Sequence, residues 1–121
     1  MLTRIEFNDK IKACIIHFAE NMCDSETRDV LNALKESKQI ARYDKFIAVI
    51  PDQFTACEAF RLEVHRLIVL MRKQNPRFKI AVVTKLLTVI GYERFAKLVT
   101  QMVEKQEIFD TMDKAIAWIE N

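Results

Sequence analysis

A chain of 121 residues that holds one glycine and two prolines has almost no means of interrupting regular structure. That scarcity leaves no room for a flexible linker, a low-complexity tract or an internal domain boundary, and no segment repeats. Residues 1–121 read as a single domain. Half of the residues are hydrophobic and 30% are charged, the balance of a globular chain.

Strand-like and helix-like segments alternate along it. Leu2 to Phe7 and Lys10 to Phe18 flank Asn8-Asp9, two residues that tolerate positive φ, and the pair reads as an antiparallel hairpin. In the second strand both faces are apolar, with Ala13 and Ile15 on one and Cys14, Ile16 and Phe18 on the other, which marks an interior strand. Asp24 or Ser25 supplies a helix N-cap, Glu26 suits the first turn, and Val30, Leu31 and Leu34 form an inward stripe. Phe46 to Ile50, stopped by Pro51, reads as a buried strand. Thr55-Ala-Cys-Glu58 has the form of a capping box, and Phe60, Val64, Leu67, Ile68 and Met71 then repeat at helical spacing as far as Asn75-Pro76. Phe78 to Val83 is another buried strand. A third helix is expected from about Thr88 or Ile90 to Val103, with Phe95, Leu98, Val99 and Met102 inward. Gln106 to Phe109 reads as an edge strand, and Asp110 or Thr111 caps a last helix that turns Met112, Ala115, Ile116 and Ile119 inward, with a buried Trp118 beside them. The order β-β-α-β-α-β-α-β-α, with right-handed crossovers after the hairpin, predicts an α/β fold with a mixed five-stranded sheet and helices packed against it.

The longest apolar stretch, Ile80 to Tyr92, is broken by Thr84 and Lys85, so no membrane span is expected. No secretory leader is visible at the N-terminus, and a cytoplasmic location is the default. Cys14, Cys23 and Cys57 form an odd set without a close pair, so reduced thiols are expected, Cys57 among them in the first turn of its helix. The net charge of +2 conceals a bias: residues 61–85 carry seven Lys and Arg against one acid. Arg72, Lys73, Arg77 and Lys79 surround the Asn75-Pro76 turn and make a candidate patch for an anionic partner, set against a simple scattering of solvated charges.

A single glycine, Gly91, is too few for a phosphate cradle of the P-loop or dinucleotide type. His17 and His65 lie far apart and the cysteines are scattered, so no metal site is expected. Neither histidine has a nucleophile or carboxylate beside it in sequence, and both read as structural. Tyr43, Tyr92 and Trp118 are not interleaved with basic residues as a nucleic-acid stacking platform requires. No catalytic constellation and no cofactor are expected, and nucleic acid is a poor partner.

Lys79-Ile-Ala-Val-Val-Thr84, Gly91-Tyr-Glu-Arg-Phe-Ala96, Glu107-Ile-Phe-Asp110 and the closing Asp113-Lys-Ala-Ile-Ala-Trp-Ile119 together resemble the C-terminal pattern of SpoIIAA-like proteins of the STAS group. The resemblance implies a regulatory protein-interaction domain of the anti-sigma factor antagonist fold, in which a phosphorylatable Ser begins the helix after the third strand. The matching place is Pro51 to Cys57, which lacks the Asp-Ser-Ser-Gly pattern and offers Thr55 as its hydroxyl. The surface at Asp52, Gln53, Phe54, Thr55, Cys57 and Glu58 is the expected protein-binding site of a non-enzymatic module, and a homodimer is compatible with it. The alternative is a carrier or sensor of a small apolar, lipid-like ligand held between sheet and helices.

Overall fold

The two N-terminal strands pair as expected but are joined by a longer turn. In the computed structural model, which describes residues 2–37, 42–84 and 106–121, β1 (Arg4–Asn8) runs antiparallel to β2 (Ala13–His17), with Asn8 opposite Ala13. Asp9 to Lys12 form the connection because Ile11 turns back into the core and cannot continue a strand. The Asn8 carboxamide accepts the backbone N–H of Lys10 at 3.1 Å and of Ile11 at 3.4 Å, and Lys12 takes φ 56°, a region non-glycine residues enter at a cost. The hydroxyl of Tyr43 donates to the Asp9 carboxylate, which ties the turn to the chain before the next strand and raises the phenol above its ordinary pKa.

From β2 the sheet continues through β4 (Lys45–Ile50), β6 (Lys79–Thr84) and β7 (Gln106–Phe109), all parallel, in the order β1-β2-β4-β6-β7. Alternation decides what covers each face. Cys14, Ile16, Phe46 and Ile80 point toward α1 (Asp24–Glu36) and α2 (Glu58–Gln74). Ala13, Ile15, Ile47, Ala81 and Val83 meet α3 (Met112–Glu120) on the other side. Both faces of the central strands are covered, which is why their sequences are apolar throughout. The helix expected between Thr88 or Ile90 and Val103 lies outside the described residues.

The helix starts depart from expectation in one consistent way. Two short strands, β3 (Asn21–Met22) and β5 (Thr55–Ala56), pair in parallel immediately before α1 and α2. Cys23 and Cys57 become the N-caps, in place of Asp24 or Ser25 and of Thr55, and neither supplies the side-chain oxygen of an ordinary cap. Thr55 donates its N–H to the Glu20 carbonyl at 2.8 Å, and the extended backbone of β5 carries it away from the helix, so no capping box forms. At α3 the expected cap is present, with Thr111 Oγ1 accepting the Lys114 N–H at 3.3 Å. Trp118 is partly rather than fully buried, packed against Phe109 and under the Lys79 ammonium, 4.8 Å from its ring.

Glu26 does more than suit a first turn. Its buried carboxylate accepts the backbone N–H of Leu2 at 2.7 Å and of Thr3 at 3.0 Å, with the Thr3 hydroxyl at 3.4 Å, and so fastens the N-terminal segment to the positive end of α1. Glu26→Ala leaves the buried Thr3 amide without its acceptor and should cost about 2–3 kcal/mol in urea unfolding, while Glu26→Gln, which retains a carbonyl, should cost less. A Glu26→Ala midpoint matching wild type would show that the anchor is dispensable.

Candidate functional site

The face of the sheet under α1 and α2 is not closed. Ile16 of β2, Ala48 and Ile50 of β4, and Ile80 and Val82 of β6 form the floor of a cavity of about 460 Å³. Ala48 lies in register between Ile16 and Val82, a methyl between two branched side chains, and it sinks the floor where the helices pass over. Val30, Leu31 and Leu34 of α1 and Phe60, Val64, Leu67 and Ile68 of α2 are the walls. These are the helical stripes that the sequence places inward, but they meet around a space. Phe60 and Val64 stay half-buried for that reason.

The cavity extends along β4 from Phe46 to Ile50 and so reaches the carboxyl end of that strand, where α/β sheets commonly receive ligands. Phe60 stands edge-on to Phe18, with ring centres 5.2 Å apart, and to Phe54, at 5.7 Å, so three rings close one side of the opening. Thr27, Cys57, Glu58 and Arg61 supply the polar groups at its edge. The Thr27 hydroxyl is engaged by the Met22 carbonyl at 3.4 Å. Glu58 and Arg61 face each other across 3.8 Å on exposed side chains, a pair of little energetic weight. The volume is about three times that of a dry engineered cavity that takes up benzene and lies within the range of small-molecule pockets.

Of the residues that the sequence picks out, Phe54, Cys57 and Glu58 line this cavity, whereas Asp52, Gln53 and Thr55 are exposed beside it. The Thr55 hydroxyl lies 3.3 Å from Asn21 Oδ1, on a strand and not in the first turn of a helix. The basic residues divide. Arg72 and Lys73 occupy the last turn of α2 and Arg77 the exposed turn after it, but alternation sends Lys79 to the opposite face, over Trp118. His17 Nε2 approaches Glu6 Oε1 on the neighbouring strand at 3.5 Å, and His65 is exposed on α2. Among the described residues no group of three His, Cys, Asp or Glu side chains could hold a metal ion, and no helix is long and apolar enough to cross a membrane.

No protein-family model matches the chain, and neither does any curated protein. A solved structure, described as the NMR structure of the protein TM1081, aligns with a TM-score of 0.69 over 97% of this chain and 87% of that one, at 14% identity. The fold is similar to that of TM1081. At such low identity the likeness is one of architecture.

The cysteines are not equivalent. Cys14 is buried in the core, and burial pushes its thiol up to about 12. Cys23 is exposed, 3.3 Å from the Ser25 hydroxyl, and that hydrogen bond, with one from the Glu26 backbone, holds its thiol below the ordinary value. Cys57 is half-buried, with Thr27 Oγ1 3.9 Å away. The sequence shows no close cysteine pair, yet Cys23 and Cys57 each directly follow a residue of the last pair of the β3–β5 ladder, Met22 opposite Ala56. Iodoacetamide at about pH 8 should therefore alkylate Cys23 first and leave Cys14 unmodified until the protein unfolds, since a pKa near 12 leaves about one thiolate in ten thousand. Early modification of Cys14 by peptide mapping would contradict the packing of β2.

Proposed function

We propose that this chain is a non-enzymatic binding domain for a small apolar, lipid-like molecule, taken up between the sheet and the α1–α2 pair as by a carrier or sensor. The observation that carries this reading is the cavity of about 460 Å³, whose floor and walls are aliphatic and aromatic and whose few polar groups stand at its edge. An apolar space left unfilled lowers stability roughly in proportion to its volume, so a molecule that fills it is bound at the expense of a destabilising void. Such a ligand stabilises the folded state by mass action. The described side chains at the edge include no hydrogen-bonded nucleophile and base, which favours binding over catalysis.

The protein-interaction reading is supported at the same place. Asp52, Gln53 and Thr55 are exposed immediately outside the cavity whose edge Phe54 and Cys57 help to form. A partner protein seated there would contact a surface whose shape depends on whether the cavity is filled. The resemblance of the closing segment to SpoIIAA-like proteins of the STAS group supports a regulatory setting of this kind, with the ligand as the signal.

Native mass spectrometry of freshly purified protein, and titration with an environment-sensitive apolar dye, test the reading. A retained apolar molecule or saturable dye binding is expected. Ala48→Phe raises the floor into the cavity and should weaken dye binding at least about tenfold, or about 1.4 kcal/mol, while the thermal midpoint stays within a few degrees. Undiminished binding to Ala48→Phe would place the ligand elsewhere and sink the reading.

A further inference from the structure

We propose that Cys23 and Cys57 form a reversible disulfide that ties the N-termini of α1 and α2 together at the edge of the cavity. The two residues are 34 positions apart in sequence, and each directly follows one member of the Met22–Ala56 pair that ends the β3–β5 ladder. Asn21 pairs with Thr55 and Met22 with Ala56, so the next step of the same parallel ladder is Cys23 beside Cys57. The Cys57 N–H donates to the Met22 carbonyl at 3.1 Å, and the peptide unit of that carbonyl contains the nitrogen of Cys23. Both backbones are extended at this step, with φ and ψ of −73° and 177° at Cys23 and of −76° and 166° at Cys57. Paired residues on parallel strands project their side chains to the same side, from strands about 4.8 Å apart. That spacing falls in the Cα window a disulfide requires, roughly 4.4–6.8 Å.

The chemistry is divided between the two sulfurs. Cys23 is exposed and its thiolate is favoured by the Ser25 hydroxyl and the Glu26 amide, so it is the group that meets an oxidant. Hydrogen peroxide transfers one oxygen to the Cys23 thiolate, giving a sulfenic acid and, with a proton, one water. The Cys57 sulfur then attacks the sulfenyl sulfur, the S–S bond forms, and the hydroxyl leaves with the Cys57 proton as a second water. Two thiols and one peroxide become one disulfide and two waters. Closure needs Cys23 Sγ to rotate away from Ser25, a side-chain movement at an exposed position.

Cys57 and Thr27 belong to the cavity lining, and Cys23 opens the helix that carries Thr27. A covalent tie between the two helix starts prevents them from separating there, and exchange of the molecule inside is slowed. This consequence rests on the ligand reading; the cross-link does not.

The full-length reduced protein is treated with hydrogen peroxide and mapped by non-reducing peptide mass spectrometry. A peptide joining Cys23 to Cys57, a loss of two hydrogens in the intact mass and reversal by dithiothreitol are expected. The oxidised form should melt about 10 °C higher, as a loop of this length predicts. In Cys57→Ser the sulfenic acid should persist on Cys23 and be trapped by dimedone. Cys23 overoxidised in wild type without any cross-link, or a cross-link only between molecules, overturns the proposal. Dye release is then compared between the two redox forms: severalfold slower release from the oxidised form is expected, and equal rates overturn the gating role. Failure of the reduced protein to take up dye overturns the ligand reading and leaves the mapped disulfide standing.

Discussion

Three parallel strands with two apolar faces each set the terms for everything else in this fold. β2, β4 and β6 pair over five or six residues apiece, and none of them can leave a face in water. The two covers differ. On the α3 side, Ala13 and Ala81 in the sheet and Ala115 in the helix are fully buried, and these small side chains let the helix lie close. On the other side the sheet presents Ile16, Phe46, Ile80 and Val82 to helices that carry Leu and Phe, and large side chains on both surfaces hold the layers apart. Phe46, edge-on to Phe78 at 5.0 Å, is itself part of the lining of the cavity that this leaves over Ala48.

How the helices approach that face is governed by the two-residue ladder of β3 and β5. It joins the segments before α1 and α2 by backbone hydrogen bonds, at 2.8 Å from Thr55 to Glu20 and 3.1 Å from Cys57 to Met22. Both helices consequently start at the same level and run off from the carboxyl ends of the strands. The ladder also replaces the side-chain caps, since residues held extended in a strand cannot fold back over a helix that begins beyond them. Two cysteines in the capping positions follow from this arrangement, because the cap no longer has to supply an oxygen.

Much of the fold was legible in the sequence because periodicity reports which way a side chain points. The five-stranded mixed sheet, the interior place of β2, the stripes of α1 and α2 and the Thr111 cap all follow from alternation, helical spacing or a local hydrogen-bond pattern. Distance from the opposite surface is not encoded in that way. Val30, Leu31 and Leu34 read identically whether they touch a sheet or border a void. The Thr-x-x-Glu pattern at Thr55 misled for a related reason: a capping box is a local signal, and the competing partners, the Glu20 carbonyl and the Asn21 side chain, come from 34 or 35 residues away. The β3–β5 ladder that ends just before Cys23 and Cys57 was invisible on the same grounds, since a strand of two residues leaves no periodicity to read.

The position of the void is what the proposed ligand reading rests on. A fault in a close-packed core is small, sealed and bordered by whatever happens to be there. This space reaches the carboxyl end of β4, borders the starts of two helices and has its few polar groups, Thr27, Cys57, Glu58 and Arg61, near those helix starts. A single larger side chain at Ala48 would reduce it, and the neighbouring pairs show that the sheet accepts branched residues at such positions. Among the described residues the chain forgoes packing over Ala48, beside a core in which Phe78 and Met71 are buried. Packing forgone at an apolar space bordered by two helix starts is what the proposed ligand-binding role requires of this core.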